Sequence, residues 1–296
     1  RSVYSAVRGG DGMYADCHIH MVLDGVYYKD AIAAHGDGPR EDLIRRRLAR
    51  YRELGFVYLR DGGDRWGVGL RARALAAEYG ITYRTPVFPI YKRGHYGGFI
   101  GRGFDSWETY RALIRAVRDA GGDFIKIMIS GLMDLNRFGV LTEEPLDGQE
   151  IRIMIETAHQ AGLAVMAHAN GTDAVLAAAA AGVDSVEHGA YLHREALAAM
   201  AEAGVIWVPT LATVGNLRGT GRYPEDAVRR ILAAAQERVS WFHDMGGLVA
   251  PGSDAGAYAV PHGQGGLDEY RLLTEALGPA AAGALEAGIS ALRNKF

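Results

Sequence analysis

The sequence predicts an α/β protein and, more narrowly, a (β/α)8 TIM-type barrel. Apolar runs of strand length alternate with amphipathic, helix-like stretches, eight of each, within 296 residues. Nearly unbroken apolar strands separated by helices indicate a parallel sheet with helical cover. Eight such units favour closure into a barrel over an open doubly wound sheet. No G-x-G-x-x-G fingerprint follows the first expected strand, which argues against a dinucleotide-binding fold.

Each expected strand is an apolar run rich in β-branched or aromatic residues. The expected strands are Tyr14–His20, Phe56–Arg60, Ile81–Ile90, Phe124–Ile129, Ala164–His168, Val183–Glu187, Val205–Pro209 and Leu248–Ser253.

The expected helices are rich in alanine, arginine and glutamate, and most are followed at once by a glycine, the usual stop signal of a helix. They are Arg40–Leu54, Val68–Tyr79, Trp107–Ala120, Gly148–Ala161, Asp173–Ala181, Arg194–Ala203, Pro224–Met245 and Leu267–Leu285.

Composition and charge exclude several classes of function. The chain has 32 Lys+Arg against 35 Asp+Glu, a formal net charge of −3, so we expect no nucleic-acid partner and no binding to an anionic membrane surface. The longest apolar stretch, Val175–Val183, is far shorter than the ~20 residues that cross a bilayer. The single cysteine, Cys17, cannot form an internal disulfide, which favours a cytoplasmic location.

Titratable residues collect where the expected strands end, and β/α barrels carry their active sites at that end. The two-residue pleat of a strand puts His18 and His20 on one face, pointing into the barrel mouth, and turns Cys17 outward under the helices. Lys126 interrupts an apolar strand, where a cation needs a partner. The candidate site residues are His18, His20, Lys126, His168, His188 and Asp254.

Six such residues at one end of five strands favour a catalytic metal centre over unrelated core residues. Imidazole and carboxylate ligands suit Zn²⁺, Fe²⁺, Mn²⁺ or Co²⁺ rather than Ca²⁺. A structural site would close its coordination shell with fewer strands, so a non-catalytic metal-binding scaffold is the least favoured alternative.

Five motifs carry a resemblance to a known family. They are His18-Ile19-His20, Phe124-Ile125-Lys126-Ile127, Ala167-His168-Ala169, Val186-Glu187-His188-Gly189 and Gly252-Ser253-Asp254-Ala255-Gly256. In order and joint presence, the motifs resemble those of the amidohydrolase superfamily of metal-dependent hydrolases. The chain looks most similar to the carboxylated-lysine binuclear subgroup, which contains prolidase-like and imidazolonepropionase-related members.

The resemblance implies two divalent metal ions, with zinc as the expected element, and CO₂ added to the amine of Lys126. The lysine would thereby become an anionic oxygen ligand. The implied ligands are His18, His20 and Asp254 for the more buried ion, His168 and His188 for the more exposed ion, and carboxylated Lys126 as the bridge.

The same resemblance implies hydrolysis of an amide, peptide or cyclic amide bond by a metal-bridging hydroxide. Asp254 would pass the water proton to the leaving amine, and His188 would polarise the substrate carbonyl. One alternative is a mononuclear deaminase of a heterocycle, which commonly uses an acid near His168, but residues 167–171 contain none. Lactone or ester hydrolysis stays open because the same nucleophile attacks those centres.

Specificity should come from the loops that follow the strands. The third of these loops, Tyr91–Arg102, is the longest and combines cations, aromatic rings and flexible glycines. Arginine suits carboxylate recognition, so the small-molecule substrate could be anionic, such as a dipeptide or an N-acyl amino acid; alternatively, the arginines pair with surface acids. The candidate substrate-binding residues are Arg93, His95, Tyr96, Arg102, Arg137, Tyr191 and His262.

Two segments are expected. Residues 1–12 precede Met13 and contain no apolar block, which favours a flexible lead-in or a cloning remnant. Residues 14–296 are expected to form a single metal-dependent hydrolase barrel without the small β-sandwich that many members of the superfamily carry. A homo-oligomer is left open.

Overall fold

The computed structural model describes residues 13–296, and the expected lead-in, residues 1–12, lies outside the described residues. The strand segments of the described part pair in parallel throughout. They are β1 Tyr14–Ile19, β2 Phe56–Asp61, β3 Thr82–Arg84, β4 Pro89–Lys92, β5 Arg102–Phe104, β6 Ile125–Met128, β7 Val165–Ala169, β8 Ser185–His188, β9 Ile206–Val208 and β10 Leu248–Val249.

The helices lie mostly in the expected places. They are α1 Tyr28–Ala33, α2 Glu41–Glu53, α3 Val68–Ala76, α4 Trp107–Asp119, α5 Gly148–Gln160, α6 Thr172–Ala180, α7 Arg194–Glu202, α8 Ala212–Gly215, α9 Glu225–Asp244, α10 Gln264–Leu277 and α11 Ala281–Lys295. The short helices α1 and α8 and the short strand β5 were not predicted.

The strands close into the predicted barrel. One sheet has the order β1-β2-β3 and the other β10-β9-β8-β7-β6-β4-β5, so β3 and β4 together occupy the third barrel position. The segment after β10 completes the circle against β1: the amide of Asp254 donates to the carbonyl of His18 (2.7 Å), and that of His20 to Ala255 (2.8 Å). The carboxyl ends of all barrel strands therefore meet at one mouth.

The third barrel strand differs from its prediction, because the expected continuous run Ile81–Ile90 is broken in the middle. Pro86 cannot donate a hydrogen bond to a neighbouring strand, and buried Val87 adopts a left-handed φ of 68°. The carboxylate of Asp123 accepts the amide of Thr85 (2.9 Å) instead. The first half of the strand consequently pairs with β2 and the second half with β6.

The prediction for Cys17 was also wrong, because β1 is irregular. Its register against β2 shifts between Asp16 and Ile19. Cys17 packs with Phe124 and other residues of several strands in a second buried cluster inside the barrel, rather than outward under the helices. A shift of one residue reverses the face to which a strand side chain points.

The expected last helix, Leu267–Leu285, is two helices. Gly278 has a positive φ of 56° and is followed by a proline, which ends α10 and starts a short 3₁₀ turn before α11. Helix α11 lies against β10, and Phe296 just beyond it packs edge-on against Phe124 (5.2 Å between ring centroids). Helix α11 thus covers the floor of the barrel, opposite the mouth. No helix in residues 13–296 is both long and apolar enough to cross a membrane.

Candidate metal centre

Two histidines and an aspartate converge at the mouth. The Nε2 atoms of His18 and His20 are 3.4 Å apart, and both lie close to Oδ1 of Asp254, at 3.5 and 3.3 Å. Each residue offers one ligand atom within 4.8 Å of the others, so the three form a candidate metal site. The predicted common face of the two histidines is confirmed by this contact.

Asp254 owes its position to an irregular segment rather than to a regular strand. Its φ of 59° is left-handed, an uncommon conformation for a residue other than glycine. The preceding residue, Ser253, is held by buried Asp16, whose carboxylate accepts the Ser253 amide (2.8 Å) and hydroxyl (2.6 Å). Burial raises the pKa of Asp254 to about 7, while the charge of Lys126 opposes the rise.

A buried charged chain orients His18. Its Nδ1–H donates to Oε2 of Glu187 (2.7 Å), and Oε1 of Glu187 accepts from Nη2 of Arg60 (2.8 Å) and from the hydroxyl of Ser185 (2.5 Å). Nε of Arg60 donates in turn to the carbonyl of Cys17 (2.7 Å). Because Nδ1 carries the proton, the lone pair of His18 lies on Nε2, which faces His20 and Asp254.

His168 and His188 form a second pair beside the first. Their ring centroids are 4.6 Å apart, and that of His188 is 5.0 Å from His18. Nε2 of His168 donates to the carbonyl of Gly131 (3.1 Å), which leaves Nδ1 as the lone-pair nitrogen. Nδ1 of His188 contacts the hydroxyl of Thr210 (2.7 Å). Each ring is therefore fixed from behind by a hydrogen bond.

Lys126 lies among the four histidines. Its side chain is 1% exposed, and its amine has no hydrogen-bond partner within residues 13–296. Burial lowers the pKa of Lys126 to about 8, although the charges of Glu187 and Asp254 act in the opposite direction. An amine in this state is readily neutral, which is the form that reacts with CO₂.

The electrostatics of the site fit metal ions. Burial, followed by the charge of Lys126, lowers the pKa of His20 to about 3, and the same two causes lower the pKa of His168 to about 3. Neutral imidazoles keep the lone pairs that coordinate a metal. Nδ1 of His20 and Oδ1 of Asp254 are buried without a hydrogen-bond partner in the described chain, although Oδ1 lies near both histidines. Divalent ions would neutralise and ligate such a set.

The third loop places one predicted substrate residue over the centre. The ring of Tyr96 lies 4.9 Å from that of His168, and its backbone amide donates to Glu143 (2.7 Å). His95 lies nearby, with Nδ1 3.9 Å from the same carboxylate. Tyr191 has a left-handed φ of 60° and packs on Phe138 (5.4 Å).

Tyr191 also lines a small cavity next to His188, together with Met133, Thr210, Ile231 and Arg238. Most of the cavity lining is apolar. The cavity lies between the loops that follow β8 and β9 on one side and helix α9 on the other.

The other predicted substrate residues are engaged by local partners. Both ring nitrogens of His262 are engaged, with the Tyr51 hydroxyl (3.3 Å) and the carbonyl of Leu23 (2.9 Å). The three arginines have nearby partners, as in the alternative that the sequence left open. Arg93 lies 3.7 Å from Asp105, Arg137 2.6 Å from Asp134, and the guanidinium of Arg102 stacks 4.2 Å from the Phe88 ring.

Sequence reasoning gave no role to Glu187, Arg60 or Thr210. Arg60 could have been found, because it is a cation in an apolar strand, the same signal that singled out Lys126. Glu187 directly precedes His188, but a pairing with His18 across the barrel has no local signature. Thr210 lies beyond the end of β9 and has no distinguishing neighbour in the sequence.

A parallel barrel with clustered histidines and an aspartate at its mouth defines a class of metal-dependent barrel proteins. The chain belongs to the amidohydrolase family, whose profile matches residues 87–268, more than half of its length.

Two curated relatives match part of this chain. An uncharacterized protein of Mycobacterium tuberculosis is 37% identical over 120 residues, which cover 38% of this chain and 32% of the relative. Ochratoxinase of Aspergillus niger is 26% identical over 234 residues, covering 67% of this chain and 47% of the relative. The matched regions thus span less than half the length of these curated relatives.

Solved structures confirm the fold. A Xaa-Pro dipeptidase with bound methionine superposes with a TM-score of 0.75 at 21% identity, over 95% of this chain and 75% of that chain. The A. niger ochratoxinase structure superposes with a TM-score of 0.72 at 20% identity, over 95% and 70%.

Proposed function

We propose that the chain is a metal-dependent hydrolase that cleaves an amide, peptide or cyclic amide bond at a centre of two divalent ions, with zinc as the expected element. The observation that carries the proposal is the buried, unpartnered amine of Lys126 between two groups of neutral histidines. One ion alone would be served by His18, His20 and Asp254. A carboxylated Lys126 gives His168 and His188 a second ion to share.

The ligands are assigned by position. His18, His20 and Asp254 would hold the more buried ion, and His168 with His188 the more exposed one. Bound ions of this kind activate water and polarise a carbonyl group. Buried Glu187 and Arg60 act behind this set as positioning residues, because they fix the proton of His18 on Nδ1.

Asp254 and His188 would do the remaining chemistry. The carboxylate of Asp254 has an unpartnered oxygen at the mouth, where it could accept a proton from water and return it to a leaving amine. His188 would orient the substrate carbonyl. Loss of the leaving amine and addition of one water molecule balance the reaction.

The substrate is proposed to be a small molecule with an amide bond, such as a dipeptide or an N-acyl amino acid. The name of the structurally similar Xaa-Pro dipeptidase supports peptide hydrolysis. Residues 14–296 would act as one catalytic barrel. The deaminase alternative has little support, because Asn170 stands two residues after His168 and brings an amide, not an acid, to that ring (3.4 Å).

The test is metal content per chain, measured with bicarbonate present, for wild type and Lys126→Ala. Lys295→Ala is the matched control, because Lys295 pairs with Asp184 near the barrel floor. We expect about two ions in the wild type and the control, reduced content in Lys126→Ala, and turnover of amide substrates that parallels metal content. One ion or fewer, unchanged by Lys126→Ala, would contradict the two-ion centre, and turnover of aminated heterocycles instead of amides would bring the deaminase forward.

A further inference from the structure

A continuous line of aromatic rings leads from the surface to the metal centre. We call the four residues Tyr27, Tyr28, Phe99 and Tyr96 the aromatic wall. Successive ring centroids are 5.9 Å apart for Tyr27 and Tyr28, 5.9 Å for Tyr28 and Phe99, and 5.6 Å for Phe99 and Tyr96. The last ring lies 4.9 Å from His168. The wall joins the first and third loops of the mouth and ends on a proposed metal ligand.

The outer end of the wall is a group of exposed apolar and aromatic side chains. Val26 is 70% exposed, Tyr27 48% and Tyr28 45%, and the three are consecutive in the loop after β1 and at the start of α1. Isolated exposed apolar residues are common, but a contiguous group beside a concave site marks a place where a ligand binds. Further in, Phe99 and Tyr96 are partly buried, so the wall becomes less exposed toward the metal centre.

The third loop is closely packed at two of its glycines. A Cβ at Gly97 would lie 2.7 Å from Cβ of Tyr91, and one at Gly101 would lie 2.8 Å from the carbonyl oxygen of Pro89, whereas one at Gly94 meets nothing within 4 Å. Gly97 and Gly101 are therefore required for this close packing. The amide of Tyr96 is also tied to Glu143. The wall is preformed, so a ligand would not have to order the loop on binding.

Charges of both signs lie near the wall. Nη1 of Arg65 donates to the carbonyl of Gly98 (3.1 Å), the residue next to Phe99, and exposed Lys29 directly follows Tyr28. Asp24 accepts the amides of Val26 and Tyr27 (2.8 and 3.0 Å), and Glu143 accepts that of Tyr96. Because these charges offset each other, the wall favours a neutral group.

We propose that the aromatic wall binds an aromatic or bulky apolar group of the substrate, attached close to the amide bond that is cleaved. The inference rests on the proposed amide hydrolysis and adds the substrate class, namely amides with an aromatic substituent. Phe99 contacts Tyr96, and Tyr96 contacts His168, with ring centroids 5.6 and 4.9 Å apart. An extended residue spans at most about 3.6 Å, so a substituent as long as two or three residues reaches Phe99 from the metal centre. Offset or edge-to-face stacking would orient that group.

The test uses two pairs of amides. In the first pair, an N-acetyl and an N-(2-naphthoyl) amino acid share the same amine. The second pair consists of amino-acid amides, one of which carries the naphthyl group on the amine side. The quantity measured is the ratio of kcat/KM for the naphthyl over the small compound. Wild type should prefer the naphthyl compound in at least one pair. Phe99→Leu should lower that ratio about 10-fold, and Tyr28→Ser should lower it less, because Tyr28 acts through its contact with Phe99. The control is Met245→Ser, since Met245 is a similarly exposed apolar residue (36%) but lies at the end of α9, just before β10 and away from the mouth.

A ratio unchanged in both wall variants, or lowered equally in the control, would overturn the proposal. Calorimetry with the uncleavable naphthalenesulfonamide analogues measures binding to the aromatic wall separately from the proposed hydrolysis. If no amide is cleaved, yet an analogue binds wild type at least 5-fold tighter than Phe99→Leu, the wall binds aromatic groups and only the hydrolysis fails. Equal binding, or none, would count against the wall. A wild-type dimer that Tyr28→Ser converts to a monomer would also overturn it, since a second copy would then cover the wall.

Discussion

His18 illustrates how much of the site depends on residues that touch neither metal nor substrate. Its proton is fixed by Glu187, and the charge of Glu187 is balanced by Arg60, deep inside the barrel. Removing either member of this buried ion pair would leave the other uncompensated, at a cost of about 3–5 kcal/mol. Substitution there would mix effects on folding and on chemistry.

Thr210 offers a cleaner test of the same principle. Thr210→Val removes the hydroxyl that contacts Nδ1 of His188 but keeps the side-chain shape. We expect affinity for the more exposed ion, which His188 would hold, to fall about 10–100-fold, because hydrogen bonds behind a ligand orient it. Competition with a chelating dye measures this. Thr210→Ser keeps the hydroxyl and should retain affinity; full affinity in Thr210→Val, or loss in Thr210→Ser alone, would contradict a role for the hydrogen bond.

Glu269 provides a pH prediction. It is fully buried, Oε2 accepts the amide of Ala212 (2.7 Å), and Oε1 has no partner among residues 13–296. Burial raises its pKa from 4.5 to about 8. Between these values the folded state binds a proton that the unfolded state has lost, so stability falls as pH rises from about 4.5 to about 8.

Glu269→Gln should remove that fall. Glutamine keeps an oxygen for the Ala212 amide and cannot ionise. In denaturant unfolding, the free energy of unfolding of the variant relative to wild type should therefore increase by roughly 1.4 kcal/mol per pH unit between pH 5 and 8. The two proteins should differ little in pH dependence below pH 4.5. Parallel stability curves from pH 5 to 8 would show that Glu269 titrates normally.

At the residue scale the sequence was most informative where chemistry and periodicity coincide. His18 and His20 could be placed together because pleat spacing is local, and Lys126 because a cation in an apolar strand is unusual. The local pairing of Arg93, Arg102 and Arg137 could not be decided, since partner choice on the surface depends on loop conformation.

At the scale of elements, the alternation of strands and helices was predictable, but interruptions within them were not. Pro86 signals weak pairing, yet the division of one barrel strand between two neighbours depends on Asp123, 37 residues further along the chain. The register shift of β1 that turns Cys17 inward has no signature in composition. Gly278 and Pro279, by contrast, mark the end of α10 and could have split the last helix.

Helix α11 contains a matched pair of glycines. A Cβ at Gly288 would lie 1.9 Å from the carbonyl oxygen of Val249, whereas one at Gly283 meets nothing within 4 Å. Gly288→Ala should therefore separate α11 from β10 and destabilise the protein by about 2 kcal/mol or more. Gly283→Ala should stabilise it by about 0.5–1 kcal/mol, since alanine favours helix. Thermal unfolding distinguishes them, and equal effects would contradict the close packing.

At the scale of the whole molecule, metal binding and folding should be linked. The proposed ligands come from strands all around the barrel, so the unfolded chain cannot present them together. Ions at 100 times their dissociation constant would stabilise the native state by about 2.7 kcal/mol. Removal by a chelator should lower Tm by about 5–10 °C, and added zinc should restore it.

The control for chelation is Asp254→Asn, which lacks the carboxylate shared by His18 and His20. Its Tm should respond less to the chelator than that of wild type. If the chelator shifts the Tm of both proteins equally, the ions that stabilise the fold lie elsewhere.

The hydrogen bonds that join the last barrel strand to the first also run through the site itself. The amide of Asp254 donates to His18, and that of His20 to Ala255, so the seam of the barrel and the ligand set share one stretch of backbone. Fraying of this seam would pull Asp254 away from both histidines, and ions bound between them would resist the fraying. Deuterium exchange at the Asp254 amide is thus a direct measure of how long the arrangement of the candidate metal site persists between openings.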